Sequence, residues 1–227
     1  MREKTLTYHF HGAKAKFTQT FYPPLDCSRG AKLCVSSFDT YFSGRNVTKK
    51  NNSLQVGETE IHLPKGHYSI LEICDAIAES FEAGFFKLTP LYALNKVQLE
   101  CKADVNFNIR NTIADILGFD KKVYVQEEVH ICEHSVKMHT ANSIGVHCSN
   151  CFGAFLNGKP TGCVFNVPVN VPPGFKIHTE PQNLLYYPIK DEQLTELTFW
   201  IKNDELKLLQ DWHSHINFSV NIVVALE

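Results

Sequence analysis

Residues 215–226 read HINFSVNIVVAL. Ile216, Phe218, Val220, Ile222, Val224 and Leu226 alternate with His215, Asn217, Ser219 and Asn221, the period of two that puts one face of a strand in a core. Val223 and Ala225 interrupt the polar side. The C-terminal half of this strand is therefore apolar on both faces, which predicts cover by a second element or a neighbouring subunit. Upstream, Leu197, Phe199 and Ile201 repeat the alternation. The stretch between the two runs, NDELKLLQDWHS (203–214), reads as a long hairpin connection whose Leu pairs also suit a helical turn. Further strands of alternating or β-branched character begin at Lys16–Phe21 and Leu33–Tyr41, separated by Pro, Gly and Asn clusters.

Two short helices interrupt this pattern. Ser69 followed by Glu72 is a capping box; Ile70, Ile73, Cys74, Ile77 and Phe81 then fall on one face, with Gly84 placed to end the helix. Thr112 and Asp115 repeat the arrangement before a stripe of Ile113, Ile116 and Leu117, and Gly118 supplies a C-terminal cap. Between 157 and 181 the density of Gly and Pro predicts ordered loops that turn sharply and stay out of a central sheet. No repeat and no internal linker is visible. The expectation is a mainly β chain with two helical insertions, an N-terminal arm over 1–15 and one domain over 16–227.

Composition narrows the functional classes. Lys plus Arg total 22 against 24 Asp plus Glu, a net charge of -2, so no global field favours nucleic acid or an anionic membrane. No stretch approaches the roughly 20 apolar residues of a membrane helix, and MREKTLTYHFHGAKAKF lacks the apolar segment of a secretory signal. The basic residues there (Arg2, Lys4, Lys14, Lys16) read as a solvated arm. Eight cysteines, at 27, 34, 74, 101, 132, 148, 151 and 163, are scattered and often lie in apolar runs, so reduced thiols are expected. The sequons at Asn46, Asn51 and Asn217 are read as chance matches.

Two strings resemble catalytic or metal motifs. His130, Ile131, Cys132, Glu133 and His134 satisfy the inverted zinc-peptidase pattern H-x-x-E-H, which needs both His one helical turn apart with Glu beside them. The flanking Val123, Val125, Val129, Ile131 and Val136 argue for a strand, in which His130, Cys132 and His134 share a face and Glu133 turns to the other. His147, Cys148 and Cys151 form a C-x-x-C with an adjacent His, and Cys163, His139 or His178 would have to complete a zinc site. A thioredoxin-type role is disfavoured because Asn150 and Gly153 predict a turn where that motif opens a helix. Phosphate-binding loops, the G-x-S-x-G elbow and EF-hand loops are absent from the string. No catalytic, cofactor-binding or metal-binding residue is therefore assigned, and an enzyme is not expected. Tyr22, Tyr41, Phe42, Tyr186, Tyr187, Trp200 and Trp212 are read chiefly as packing residues and secondarily as interface anchors.

Four phrases carry a resemblance: IHLPKGHYSILEICDAI (61–77), NTIADILGF (111–119), GAFLNGKPTGCVFNVPVNVPPGFKIHTEPQNLLYYPI (153–189), and LTFWIKN (197–203) with the final strand. Together they resemble the minor capsid, or penton-like, proteins of Polinton (Maverick) virus-like elements. The resemblance implies a single jelly-roll antiparallel β-sandwich that forms a homopentamer at the fivefold vertices of an icosahedral shell. It further implies double jelly-roll major capsid proteins as neighbours, and a virion location after an intracellular stage. The residues alone are compatible with two other readings. One is a zinc hydrolase built on 130–134; the other is a host-encoded β-sandwich binding module with its recognition surface in the loops of 157–181.

Overall fold

The computed structural model describes residues 2–138, 141–209, 212 and 215–226. Its first strands are β1 (Glu3–Gly12), β2 (Lys16–Asp26), β3 (Ala31–Tyr41), β4 (Ser53–Val56) and β5 (Thr59–His62). Helix α1 (Ile70–Ala78) precedes β6 (Phe86–Leu91), β7 (Lys96–Cys101) and β8 (Val105–Asn106), and α2 (Ala114–Leu117) precedes β9 (Val123–Tyr124) and β10 (Val129–Ile131). Then follow β11 (Ser143–Cys148), β12 (Phe155–Leu156), β13 (Lys159–Pro160), β14 (Cys163–Pro168), β15 (Lys176–Thr179), β16 (Tyr187–Pro188), β17 (Gln193–Asn203) and β18 (Ile216–Ala225). The chain is mainly β and its strand pairs are antiparallel. It divides into two compact units, residues 1–44 with 141–227, and residues 45–140, where the sequence reading has one domain.

The first unit is a sandwich of two sheets, ordered β1-β18-β3-β15, with β16 also on β3, and β14-β11-β17-β2. Numbering its eight principal strands (β1, β2, β3, β11, β14, β15, β17, β18) in chain order gives sheets 1-8-3-6 and 5-4-7-2. First pairs with eighth, second with seventh, third with sixth and fourth with fifth. That is the pairing of one long hairpin wrapped around a core, the jelly-roll topology with its two Greek keys.

The strand at 216–225 is central, paired along its length to β1 and β3. Ile216, Phe218, Val220, Ile222 and Val224 are buried as the alternation predicts, and Val223 is buried on the other face. Phe10 and Phe218 from one sheet meet Phe17 and Phe199 from the other, with Phe10 to Phe199 at 5.0 Å and Phe17 to Phe218 at 5.1 Å between centroids. Edge-to-face and tilted ring contacts of this kind add to burial in joining the two sheets.

Three expectations are corrected in this unit. Most of the supposed N-terminal arm is β1, in register with β18 from Glu3 opposite Ala225 to Gly12 opposite Ile216; Leu6, Tyr8 and Phe10 turn toward the core while the charges lie at its start and on its outer face. Residues 203–214 do not join a hairpin, because β17 and β18 belong to different sheets. Of the connecting stretch, Leu208 bridges back to Lys202, and the buried Trp212 donates its indole N–H to Tyr41 O at 2.7 Å. Within 157–181, β14 and β15 are strands, each at a sheet edge, where a missing Pro N–H leaves no ladder bond unmade.

The second unit, inserted between β3 and β11, has its own core around Leu54, Ile73, Ile77, Leu99, Phe107 and Leu117. Its sheets are β10-β7-β6 and β5-β4-β8-β9. Asn46 is buried and closes the insertion on itself, donating from Nδ2 to Tyr68 O and Met138 O and accepting from Tyr68 N–H. Both arms of the capping box form on α1: Glu72 N–H donates to Ser69 Oγ, and Ser69 N–H to the Glu72 carboxylate. The helix ends at Ala78 with Glu79 as its cap, short of Gly84. The box expected on α2 is not made. Thr112 Oγ1 instead accepts from Ala114 N–H, and Asp115 pairs with Lys121. Gly118 does cap α2, at a φ of 82°, where a Cβ would run into the His134 carbonyl oxygen.

Candidate functional site

The H-x-x-E-H string does not assemble a zinc site. β-Branched Val129 and Ile131 pair with Glu100 and Gln98 of β7, so the segment begins as a strand rather than a helix. His130 Nε2 lies 2.9 Å from Val125 O, and His134 Nε2 lies 3.0 Å from Asp120 Oδ1. Cys132 is buried between them, its thiol on His134 O. Glu133, the would-be base, is fully engaged: it accepts from Lys122 Nζ at 2.6 Å, from Tyr124 Oη at 2.6 Å and from Asp120 N–H at 3.1 Å. Burial alone would raise its carboxyl, but these donors prevail and hold it at about 2. A carboxylate so stabilised is a structural anchor and a poor proton acceptor at neutral pH.

Strand alternation also separates the second motif. In β11, Ile144, Val146 and Cys148 face the sandwich core, whereas Gly145 and His147 face outward. Cys151 joins Cys148 in the core; Cys163 instead lies beside His147 on the outer face. A Cβ added to Gly145 would fall 2.8 Å from His147 Nε2 and 3.3 Å from Cys163 Sγ. His178 is on β15 in the other sheet, bonded to Asp39 at 2.7 Å, and His139 lies outside the described residues. Among the described residues no group of three or more His, Cys, Asp or Glu side chains is placed to hold a metal.

What the alternation does create is a cleft on the outer face of β11, a cavity of about 480 Å³ lined by Gly145, His147, Phe155, Leu156, Cys163 and Tyr187, among others. His147 is buried and its Nδ1–H donates to Thr161 O at 3.0 Å. That bond fixes the tautomer and leaves Nε2 as an acceptor. Burial, with Lys202 nearby, lowers its pKa and keeps the ring neutral. Burial pushes the Cys163 thiol up, the direction that disfavours a thiolate nucleophile, and its proton points to Phe165 O. The cleft thus offers a fixed acceptor between apolar side chains (Phe155, Leu156, Tyr187) and polar ones (Asn166, Asp204), features suited to binding.

The aromatic residues divide. Phe42 and Trp212 are buried and pack at 5.3 Å, as expected, and Tyr187 and Trp200 are half-buried. Tyr22, Tyr41 and Tyr186 are exposed instead. Nothing in their immediate sequence distinguishes them from core aromatics. Phe152, Phe155, Phe175 and Leu185 are exposed as well, all from the connections between strands of the sandwich. No helix of the described residues is long and apolar enough to cross a membrane.

No protein-family model and no curated protein matches this sequence. Among solved structures, the mavirus penton protein aligns over 96% of this chain and 99% of its own, with 10% sequence identity and a TM-score of 0.49.

Proposed function

We propose that this chain is a structural capsid protein, a penton-like minor capsid component of a Polinton-type virus-like element. In this reading it self-associates as a pentamer at the fivefold vertices of an icosahedral shell, beside double jelly-roll major capsid proteins. The observation that carries it is the complete 1-8-3-6 and 5-4-7-2 wrapping of the first unit. The fold alone hosts many functions; the capsid assignment is drawn from the phrases at 153–189 and 197–203, which build β14, β15 and most of β17 of that wrapping. Exposed Tyr22, Phe152, Phe155 and Phe175 supply apolar surface for a contact that repeats head to tail around an axis and closes a ring. The protein would then work through its surfaces, assembling inside the cell and residing in the virion. Mass photometry and negative-stain microscopy of the purified chain, alone and with its major capsid partner, test this. Fivefold rings or vertices are expected; a strictly monomeric protein that also fails to enter a shell overturns it.

The cleft about His147 favours a second reading, a β-sandwich binding module. A panel of oligosaccharides and peptides followed by the chemical shifts of the His147 ring separates the two. Saturable binding with no assembly would select the binding module.

A further inference from the structure

The C-x-x-C at 148–151 packs into the sandwich core, and the proposed function makes no use of its thiol chemistry. β11 ends at Cys148, Ser149 and Asn150 form a turn, and Cys151 makes a bridge to Ile189. Both limbs of the turn are anchored. Cys148 N–H donates to Gly162 O at 2.9 Å, Ser149 N–H to Thr198 O at 3.0 Å, and Asn150 O accepts from Lys190 N–H at 2.8 Å. The first and fourth residues of a β-turn have Cα atoms under about 7 Å apart, and a disulfide spans about 4.4–6.8 Å. Cys148 is 4% exposed and Cys151 3%, both within the same core cluster, so their side chains lie on one side of the turn.

We propose that Cys148 and Cys151 are a redox-active dithiol, which hydrogen peroxide oxidises to an intramolecular disulfide within the folded sandwich. The two sulfurs are equally buried, and the step is written with Cys148, the last residue of β11, as the attacking sulfur. A hydrogen bond from Cys151 holds its thiol below the usual range against the opposing effect of burial, aided by the turn N–H groups and Lys190, while Cys151, donating and buried, is pushed up. The Cys148 thiolate forms an S–O bond to one peroxide oxygen as the O–O bond breaks, and the departing hydroxide takes up a proton as water. Cys151 sulfur then attacks Cys148 Sγ; the S–S bond forms, the S–O bond breaks, and the hydroxyl leaves with the Cys151 proton as a second water. Two thiols lose two electrons and peroxide gains them. No helix follows Cys148, so this is a modification of the turn and not a thioredoxin-type centre. It stands independently of the capsid reading.

The test uses the folded full chain, treated with a small excess of hydrogen peroxide, then denatured in iodoacetamide and mapped by mass spectrometry. Before alkylation the chain is expected to lose about 2 Da, with the bond between residues 148 and 151 and reversed by dithiothreitol. In Cys151→Ser, a dimedone probe should trap a sulfenic acid at Cys148. Alkylation of all 8 cysteines after peroxide treatment, or a bond at Cys163 instead, overturns the proposal. Mapping of the unsubstituted chain decides this even where the variant does not fold.

Discussion

Glu133 shows how a single side chain can carry a catalytic motif's identity and a structural role. Three donors from 120–124 converge on its carboxylate, and the interaction is charge-assisted at each. Its folded value of about 2 lies below the ordinary 4.5, so the network contributes stability that is complete above 4.5 and is lost as pH falls through about 2. Replacing Glu133 by Gln is expected to cost about 1–3 kcal/mol at neutral pH. Urea denaturation should show the variant and the parent converging as pH drops below 4.5; a difference that stays constant down to pH 2 would contradict the assignment. The β character of 129–131 was legible from Val129 and Ile131. The partners of Glu133 were not, since Lys122 and Tyr124 reach it only after the intervening turn folds back.

At the level of elements, local rules succeeded where the signal was local. Ser69 and Glu72 made the reciprocal cap that their spacing predicts, and Ile73, Cys74 and Ile77 form the buried face of α1. Ser69→Ala is accordingly expected to destabilise the chain by about 1 kcal/mol, read as a shift in the urea midpoint with an unchanged slope. The same spacing at Thr112 and Asp115 failed, because α2 spans only Ala114–Leu117 and Ile113 occupies the cap position. Edge strands were the other failure. Pro168 and the Pro cluster at 172–173 made 157–181 look like loop, yet Val164, Val167 and Ile177 are buried and hold β14 and β15 against their neighbours. A strand at an edge tolerates Pro, so propensity alone cannot tell it from a loop.

At the scale of the whole molecule, the pairing of first with eighth strand and second with seventh is complete within residues 1–44 and 141–227. Each unit has its own apolar cluster. Replacing residues 45–140 with a flexible Gly/Ser linker is therefore expected to leave a sandwich with cooperative unfolding and a near-UV circular dichroism signal; their loss would mean the jelly roll depends on the insertion. The sequence by itself determined the mainly β class, the position of α1 and the central strand at 216–225, because each follows from the side-chain period of a continuous segment. Only the tertiary structure decided that β17 and β18 lie in different sheets, that β1 is a strand and not an arm, and that His147 and Cys163 share a cleft while Cys148 and Cys151 share the core. Those outcomes rest on antiparallel partners and sheet faces supplied by residues far away in the chain, and no local pattern records them.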